Sequence, residues 1–195
     1  VDQDGEDNDL TSTQSGALND FFVIQTGDAN LVTSTQSGDG NEGNVSQSGN
    51  VNFVVSTQSG DGNVLNTDQI GDNNGITNTQ SGTDSVNNVS QTGLGNSVTA
   101  SQSNDQNVSG VTQSGNANSV TSTQSGNVSD SFVTQTGDSS RAIVNQSASD
   151  STSTIEQTAN SQAAQVTQSG SGQSSTVRQS ASAGADLSTP ELGSV

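Results

Sequence analysis

The feature that most constrains this chain is a glutamine that recurs at every eleventh position along nearly its whole length. These glutamines are Gln3, Gln14, Gln25, Gln36, Gln47, Gln58, Gln69, Gln80, Gln91, Gln102, Gln113, Gln124, Gln135, Gln146, Gln157, Gln168 and Gln179. Free loops tolerate insertions well, because doubling a loop costs only about 0.6 kcal/mol. The absence of any insertion or deletion between Gln3 and Gln179 therefore indicates that each glutamine must align with the next, as in a repeat fold.

Each glutamine opens a unit of the form Q-S/T-G-x-x-N-x-x-x-x-x, which we number from zero at the glutamine. Position two carries the predicted turn glycines Gly16, Gly27, Gly38, Gly49, Gly60, Gly71, Gly82, Gly93, Gly115, Gly126 and Gly137. Position five carries a predicted inward row of Asn19, Asn30, Asn41, Asn52, Asn63, Asn74, Asn96, Asn107 and Asn118. Beyond residue 118 this asparagine gives way to Ser or Gln, so we expect the C-terminal third to be the least regular part.

A period of twenty-two residues underlies the period of eleven, because aliphatic residues alternate between positions nine and seven of successive units. We predict that they form a thin aliphatic seam of Val23, Val32, Val45, Val54, Ile76, Val89, Val98, Val111, Val120 and Val133. If a turn reverses the chain between units, position nine of one strand faces position seven of the next. Two kinds of half-repeat would then make one coil.

The residue types favour strands over helices. An eleven-residue period also occurs in right-handed coiled coils, but every unit here is rich in Gly, Ser, Thr, Asn and Val, which are weak helix formers. Positions five, seven, nine and eleven share one face of a strand, whereas positions six, eight and ten share the other. The pattern predicts an all-β, two-sheet parallel β-solenoid (cross-β) of about eight 22-residue coils, each built from two 11-residue strand-turn units.

Composition limits what such a fold can do. Val, Leu, Ile and Phe together make up fewer than one residue in five, and the net charge is −18, values otherwise typical of disorder. The chain has no Cys or His and only two basic residues, so we predict no enzyme activity, no catalytic residues, no metal site and no cofactor. Scarce basic residues also argue against nucleic-acid binding, and no apolar run is long enough for membrane insertion.

Three segments are predicted along the chain. Residues 1–13 form an acidic lead-in or a degenerate first repeat, residues 14–185 form the repeat solenoid, and residues 186–195 form a C-terminal tail. Pro190 stands where the next glutamine would fall and cannot donate a hydrogen bond to a β-ladder. We therefore expect the last strand to end before it.

The pattern Q-x-G-x-x-N-x-V-x-x-x-Q resembles the repeat of curlins, the subunits of bacterial curli fibres. The segments 25–36 and 91–102 show it most completely. The chain departs from the family in having Val rather than Ala at position seven and in lacking Tyr. The resemblance implies a secreted subunit of a functional amyloid fibre that self-assembles in the extracellular biofilm matrix and in adhesion. It also implies two partners: a minor curlin nucleator and an outer-membrane curli secretion channel.

Two alternatives remain open from the residues themselves. Outward Thr-x-Thr pairs at Thr11/Thr13, Thr33/Thr35, Thr77/Thr79 and Thr121/Thr123 are similar to the threonine arrays of ice-binding solenoids. Val55 and Ser101 interrupt this row, and Ile143 ends it. Half of the twenty acidic residues fall in predicted turns, and their oxygens are the ligands that calcium prefers. They skip coils, however, and the pattern favours solvated charge that keeps the monomer soluble.

Overall fold

The computed structural model describes residues 1–180 as a two-sheet parallel β-solenoid, and this part of the chain contains no helix. We call the nine-stranded sheet sheet A and the eight-stranded sheet sheet B. Sheet A comprises β1 (Asp2–Asp4), β3 (Asp20–Thr26), β5 (Glu42–Ser48), β7 (Val64–Ile70), β9 (Val86–Thr92), β11 (Val108–Ser114), β13 (Asp130–Gln135), β15 (Thr152–Gln157) and β17 (Ser174–Gln179). Sheet B comprises β2 (Asp9–Ser15), β4 (Leu31–Ser37), β6 (Phe53–Ser59), β8 (Gly75–Gln80), β10 (Ser97–Gln102), β12 (Ser119–Gln124), β14 (Arg141–Gln146) and β16 (Ala163–Gln168).

The chain alternates between the two sheets, and every strand pairs in parallel with the strand two units away. Register is constant: Gln91 lies beside Gln69 and Gln113, twenty-two residues away in each direction. This confirms the predicted fold class and its eight or so coils. A slip of one residue would turn every inward side chain outward, so the invariant spacing of the glutamines is a direct consequence of the fold.

The interior is a narrow seam between the sheets. All ten residues predicted for the seam are buried, and the buried apolar row continues through Leu65, Ala100, Ala142, Val144, Ile155, Ala164, Val166 and Val177. Facing positions nine residues apart also bond across the seam: Asn87 Nδ2 donates to Asn78 Oδ1 at 2.7 Å, and the hydroxyls of Ser122 and Ser131 lie 3.0 Å apart. Position nine therefore faces position seven of the next unit.

The acidic N-terminal segment takes part in the solenoid. Strand β1 pairs with β3, and β2 pairs with β4 in the same register as the later coils. The sequence pattern loosens after residue 118, yet strands β13, β15 and β17 stay in register through Gln179. The boundary predicted at residue 185, the tail at 186–195 and Pro190 lie outside the described residues.

Three of the four phenylalanines lie over a glycine in the neighbouring coil. A Cβ atom built on Gly43 would come within 2.4 Å of the Phe21 ring, and one built on Gly75 within 2.3 Å of the Phe53 ring. The same relation holds between Gly110 and Phe132, at 2.9 Å. A large ring beside a missing side chain keeps the volume of the row nearly constant, which is the known rescue of strand glycines by aromatic neighbours.

The turns hold a strained backbone position in every coil. At position four of each unit from residue 7 to residue 172, φ lies between +55° and +69°, whatever the residue type. Glycine occupies this position in only four units. Two of the others are valine: Val51 has φ +60° and Val128 has φ +55°. Left-handed backbone is especially unfavourable for a β-branched residue, so the rest of the coil must impose this conformation.

We expect Val51→Asn to stabilise the folded chain by about 1 kcal/mol, because Asn tolerates left-handed backbone far better than a β-branched residue. Val51 is 52% exposed, so little buried area is lost. Urea denaturation of the soluble solenoid measures the effect. The reverse change, Asn73→Val, is the matched control at an exposed residue with φ +57°. Asn73→Val should destabilise the folded chain by a similar amount. An unchanged free energy of unfolding for both variants would contradict the argument that valine is strained at this position.

Candidate assembly interface

The predicted glutamines form two continuous chains of hydrogen bonds, one along each sheet. In both sheets Nε2 of each glutamine donates to Oε1 of the glutamine one coil later, at 2.5–3.2 Å. Gln25 and every later glutamine up to Gln168 are buried. Gln14, on the outermost described strand of sheet B, is exposed, and Gln179 is partly exposed.

The glutamines also tie the two sheets together, which the sequence did not indicate. The same Nε2 group of Gln91 donates to the backbone oxygen of Gly75 in the facing sheet at 3.2 Å. An equivalent bond to the residue sixteen positions earlier occurs at each glutamine from Gln25 to Gln179. Each inner amide thus has a partner for its oxygen and two for its nitrogen. An unpaired buried amide costs about 1–3 kcal/mol, and here that cost is avoided.

The position-five asparagines fix the turns. Asn19 is partly buried, and the other eight predicted members are fully buried. The Oδ1 atom of Asn30 accepts the backbone N–H of Asn52 at 3.0 Å. The Nδ2 group of Asn30 donates to the carbonyl of Gly49 at 2.8 Å, in the turn of the next coil. Both bonds go to the next coil, and the Nδ2 group of Asn30 also donates to Asn8 Oδ1 in the preceding coil at 3.1 Å.

Serine takes over this role where asparagine is absent. Ser129, Ser140 and Ser151 are buried, and the Oγ atom of Ser129 donates to the carbonyl of Ala148 at 2.9 Å. Ser140 bonds Ala159 in the same way at 3.0 Å. This substitution explains why the C-terminal coils keep their register although their sequence pattern relaxes.

The turn acids have a structural partner as well as charge. Oδ1 of Asp39 accepts the backbone N–H of Ala17 at 2.7 Å, and Asp61 accepts that of Asp39 at 2.8 Å. Asn50 occupies the equivalent place beside Asp28 and accepts its N–H at 2.9 Å. In this row Asn50 separates the carboxylates of Asp28 and Asp72, whereas Asp39 and Asp61 are direct neighbours in the other row. The prediction that turn charge is merely solvated is therefore incomplete, since these oxygens also accept backbone hydrogen bonds.

The predicted turn glycines all lie between strands, but they do not share one conformation. Eight have positive φ of 96–120°: Gly16, Gly27, Gly38, Gly49, Gly60, Gly71, Gly93 and Gly115. Gly82, Gly126 and Gly137 do not have positive φ. In the coil after each of these three stands Asn104, Ala148 or Ala159 instead of glycine. The turn thus has a second form, without positive φ at position two, where the next coil carries a side chain at that position.

The outer face of sheet A is uneven. Asn44 Nδ2 donates to Asn66 Oδ1 at 3.0 Å, and Asn66 donates to Asn88 at 2.9 Å. Phe22 and Phe132, both nearly half exposed, stand at the two ends of this row and border a groove of about 490 Å³. Between residues 1 and 180 no cluster of three or more potential metal-ligating residues occurs. No helix in that range is long and apolar enough to cross a membrane.

These features define the class of protein: a parallel β-solenoid whose coils repeat one pattern of strand pairing and stacked amide side chains. Residues 110–137 match the family described as the curlin associated repeat. That segment contains the glutamines of β11, β12 and β13 with their turns. No curated protein and no solved structure gave a match.

Residues 110–137 are therefore similar to the curlin repeat, as the residue pattern predicted. The curlin repeat family is structural rather than enzymatic, its members assemble into fibres, and it is found outside the cell or at the cell surface. The fold and the repeat together fit a curli-like structural subunit.

Proposed function

We propose that this protein is the structural subunit of a secreted, curli-like amyloid fibre that grows head to tail through the edges of its β-solenoid. In this proposal the fibre lies in the extracellular biofilm matrix and supports adhesion. Family membership of the matched repeat further suggests a minor curlin nucleator and an outer-membrane secretion channel as partners. The polar interior suits export of an unfolded chain, because little apolar surface is exposed before folding.

The observation that carries the proposal is the polarity of the glutamine rows. Every inner glutamine donates from Nε2 toward the C-terminal neighbour and accepts at Oε1 from the N-terminal neighbour. Each coil therefore presents amide oxygens toward its N-terminal neighbour and amide N–H groups toward its C-terminal neighbour. A second copy is complementary only when it stacks in the same direction. Such an interface is heterologous and does not close, so it produces a filament.

A thioflavin time course with negative-stain imaging and fibre diffraction tests this function. We expect unbranched fibres whose 4.8 Å reflection lies along the fibre axis, since strands in neighbouring coils are about 4.8 Å apart. Preformed fibres should remove the lag when added to fresh protein. A folded protein that stays monomeric across a wide concentration range, with or without added fibre fragments, would refute the proposal.

We expect salt to shorten the lag several-fold, because the chain carries a net charge of −18 and stacking brings these charges together. Raising ionic strength from 10 to 150 mM reduces the screening length from about 30 to about 8 Å. Asp61→Asn is the matched variant: it keeps the oxygen that accepts from Asp39 but removes one of two adjacent charges. It should shorten the lag at low salt, whereas a lag that ignores both salt and this change would contradict the electrostatic argument.

A further inference from the structure

The outer face of sheet B carries a regular array of threonines, which we call the threonine face. It comprises positions eight and ten of strands β2, β4, β6, β8, β10 and β12. Ten of these twelve residues are threonine: Thr11, Thr13, Thr33, Thr35, Thr57, Thr77, Thr79, Thr99, Thr121 and Thr123. The other two are Val55 and Ser101, which differ from threonine by a single group. The parallel pairing places both rows in strict register.

The threonine face is free of charge in a strongly acidic protein. Strands β4, β6, β8, β10 and β12 contain no Asp, Glu, Lys or Arg. The outer face of sheet A is built in the same register, yet strands β3, β5, β7, β13, β15 and β17 carry one charged residue each. These are Asp20, Glu42, Asp68, Asp130, Glu156 and Arg178. The two faces therefore differ in chemistry although one repeat builds both.

The threonine hydroxyls are available to an outside partner. Within residues 1–180, none of the ten Oγ1 atoms of the array makes a hydrogen bond to the protein. Neighbouring strands space the hydroxyls by about 4.8 Å, and alternate residues along a strand space them by about 6.7 Å. The result is a two-dimensional lattice in which each point offers a methyl group and a hydroxyl that both donates and accepts.

We propose that the threonine face binds ice. A crystalline water surface can satisfy both the donor and the acceptors of each hydroxyl, while the methyl groups pack between water positions. The β-branched side chains have few rotamers, and the inner amide rows hold the strands in place, so the lattice is ordered before it meets water. Charged groups would bind water in their own geometry, and this face has none over five consecutive strands.

A second copy of the chain is the other occupant that the face could accept. Two threonine faces packed together would enclose many hydroxyls, and a facing threonine cannot fill the donor and both acceptors of each. A buried hydroxyl with unmet hydrogen bonds costs about 1–3 kcal/mol. Water satisfies these groups without that cost, so ice is the better match.

An ice-recrystallisation assay on fibres and on freshly purified monomer tests the proposal, with thermal hysteresis as the second readout. Thr77→Glu and Thr99→Glu place a charge at the centre of the face, and Thr112→Glu places the same charge on an exposed threonine of sheet A. We expect wild type and Thr112→Glu to inhibit recrystallisation. The two variants on the threonine face should need at least ten times more protein for the same inhibition.

Circular dichroism and fibre formation establish that each variant is folded and assembles, which separates this test from that of the proposed function. Thr77→Val retains the shape of the side chain and gives a second, milder variant if Thr77→Glu fails to fold. It should weaken inhibition without changing assembly. No inhibition by folded wild type, or equal losses on the two sheets, would overturn the proposal. So would threonine-face variants that alter only filament width, because that result assigns the face to contact between filaments.

Discussion

Replacing Gln91 by alanine should destabilise the folded chain by about 3 kcal/mol or more and slow fibre growth at least tenfold. Gln91 is fully buried. Its Oε1 accepts from Gln69 at 2.9 Å, and its Nε2 donates to Gln113 at 2.9 Å and to the Gly75 carbonyl at 3.2 Å. Truncation leaves these partners incompletely bonded, and each unmet buried group costs about 1–3 kcal/mol. It also opens a cavity between the sheets, which adds to the cost.

Urea denaturation and growth of the variant on wild-type fibre fragments measure the two effects. Thr99→Ala is the control, because Thr99 is exposed on the next strand along the chain, in the facing sheet, and its side chain makes no inner bond. Its effect should be well below 1 kcal/mol. Equal losses for Gln91→Ala and Thr99→Ala would show that the inner amide row does not stabilise the solenoid.

Gln91→Glu separates hydrogen bonding from volume. The carboxylate has nearly the same size, but it cannot donate to Gln113 or to the carbonyl of Gly75. We expect a loss at neutral pH as large as that of alanine. Acidification should recover part of it, because burial favours the neutral carboxyl and this form donates one hydrogen bond. A variant that behaves like wild type at neutral pH would refute the bonding argument.

The inner side of the solenoid was predictable because it depends on period and parity alone. Side chains alternate between the two faces of a strand, so Gln91 and Val89 share the inner face while Ser90 lies on the outer face. Because the repeat has an odd number of residues, the turn must restore the same alternation in the next unit. The alternation of Val at positions nine and seven gave the two-strand coil, since Val23 and Val32 fit one seam only if the chain reverses between them. These relations follow from strand geometry and need no knowledge of side-chain contacts.

The remaining features depend on distances between coils that the period does not specify. Nothing in the pattern indicates that Gln91 also bonds Gly75 across the seam. The left-handed conformation of Val51 is imposed by neighbouring coils and opposes its own preference. The hydrogen bond that Asp39 accepts from Ala17 could not be inferred from the sequence, because acidic residues in turns are usually solvated. A signal did exist for Phe53 and Gly75, since a large residue and a glycine stand twenty-two positions apart.

The difference between the two outer faces also bears on assembly. Both sheets have the same inner rows of glutamine and aliphatic side chains. The surface that one coil presents to the next is therefore nearly the same at every coil. Between Asp20 and Glu156, charge is confined to the turns, to the outer face of sheet A and to Arg141 at the start of β14 in sheet B. Stacking therefore needs only the repeated geometry of the interior, while the two outer faces differ in chemistry.

Gly49→Ala should be among the most damaging single substitutions, costing about 3 kcal/mol or more, whereas Gly40→Ala should cost only about 1 kcal/mol. Both glycines have positive φ, +119° and +67° respectively. A Cβ atom on Gly49 would lie 2.2 Å from the backbone oxygen of Gly71, while one on Gly40 meets nothing within 4 Å. Alanine at position 40 therefore incurs only the usual cost of left-handed backbone, about 1–2 kcal/mol, partly offset by lower chain entropy when unfolded.

The clash at Gly49 cannot be relieved locally, because the carbonyl it meets already has a partner. The Gly71 oxygen accepts the Nδ2 group of Asn52 at 2.7 Å, so displacing it weakens a second bond between coils. In urea denaturation Gly49→Ala should have a much lower free energy of unfolding than Gly40→Ala, and its fibres should grow much more slowly. Similar costs for the two variants would mean that the turn at Gly49 can adopt a conformation without positive φ, as Ala148 does at the same position of its unit, and that close stacking of turn carbonyls does not require glycine there.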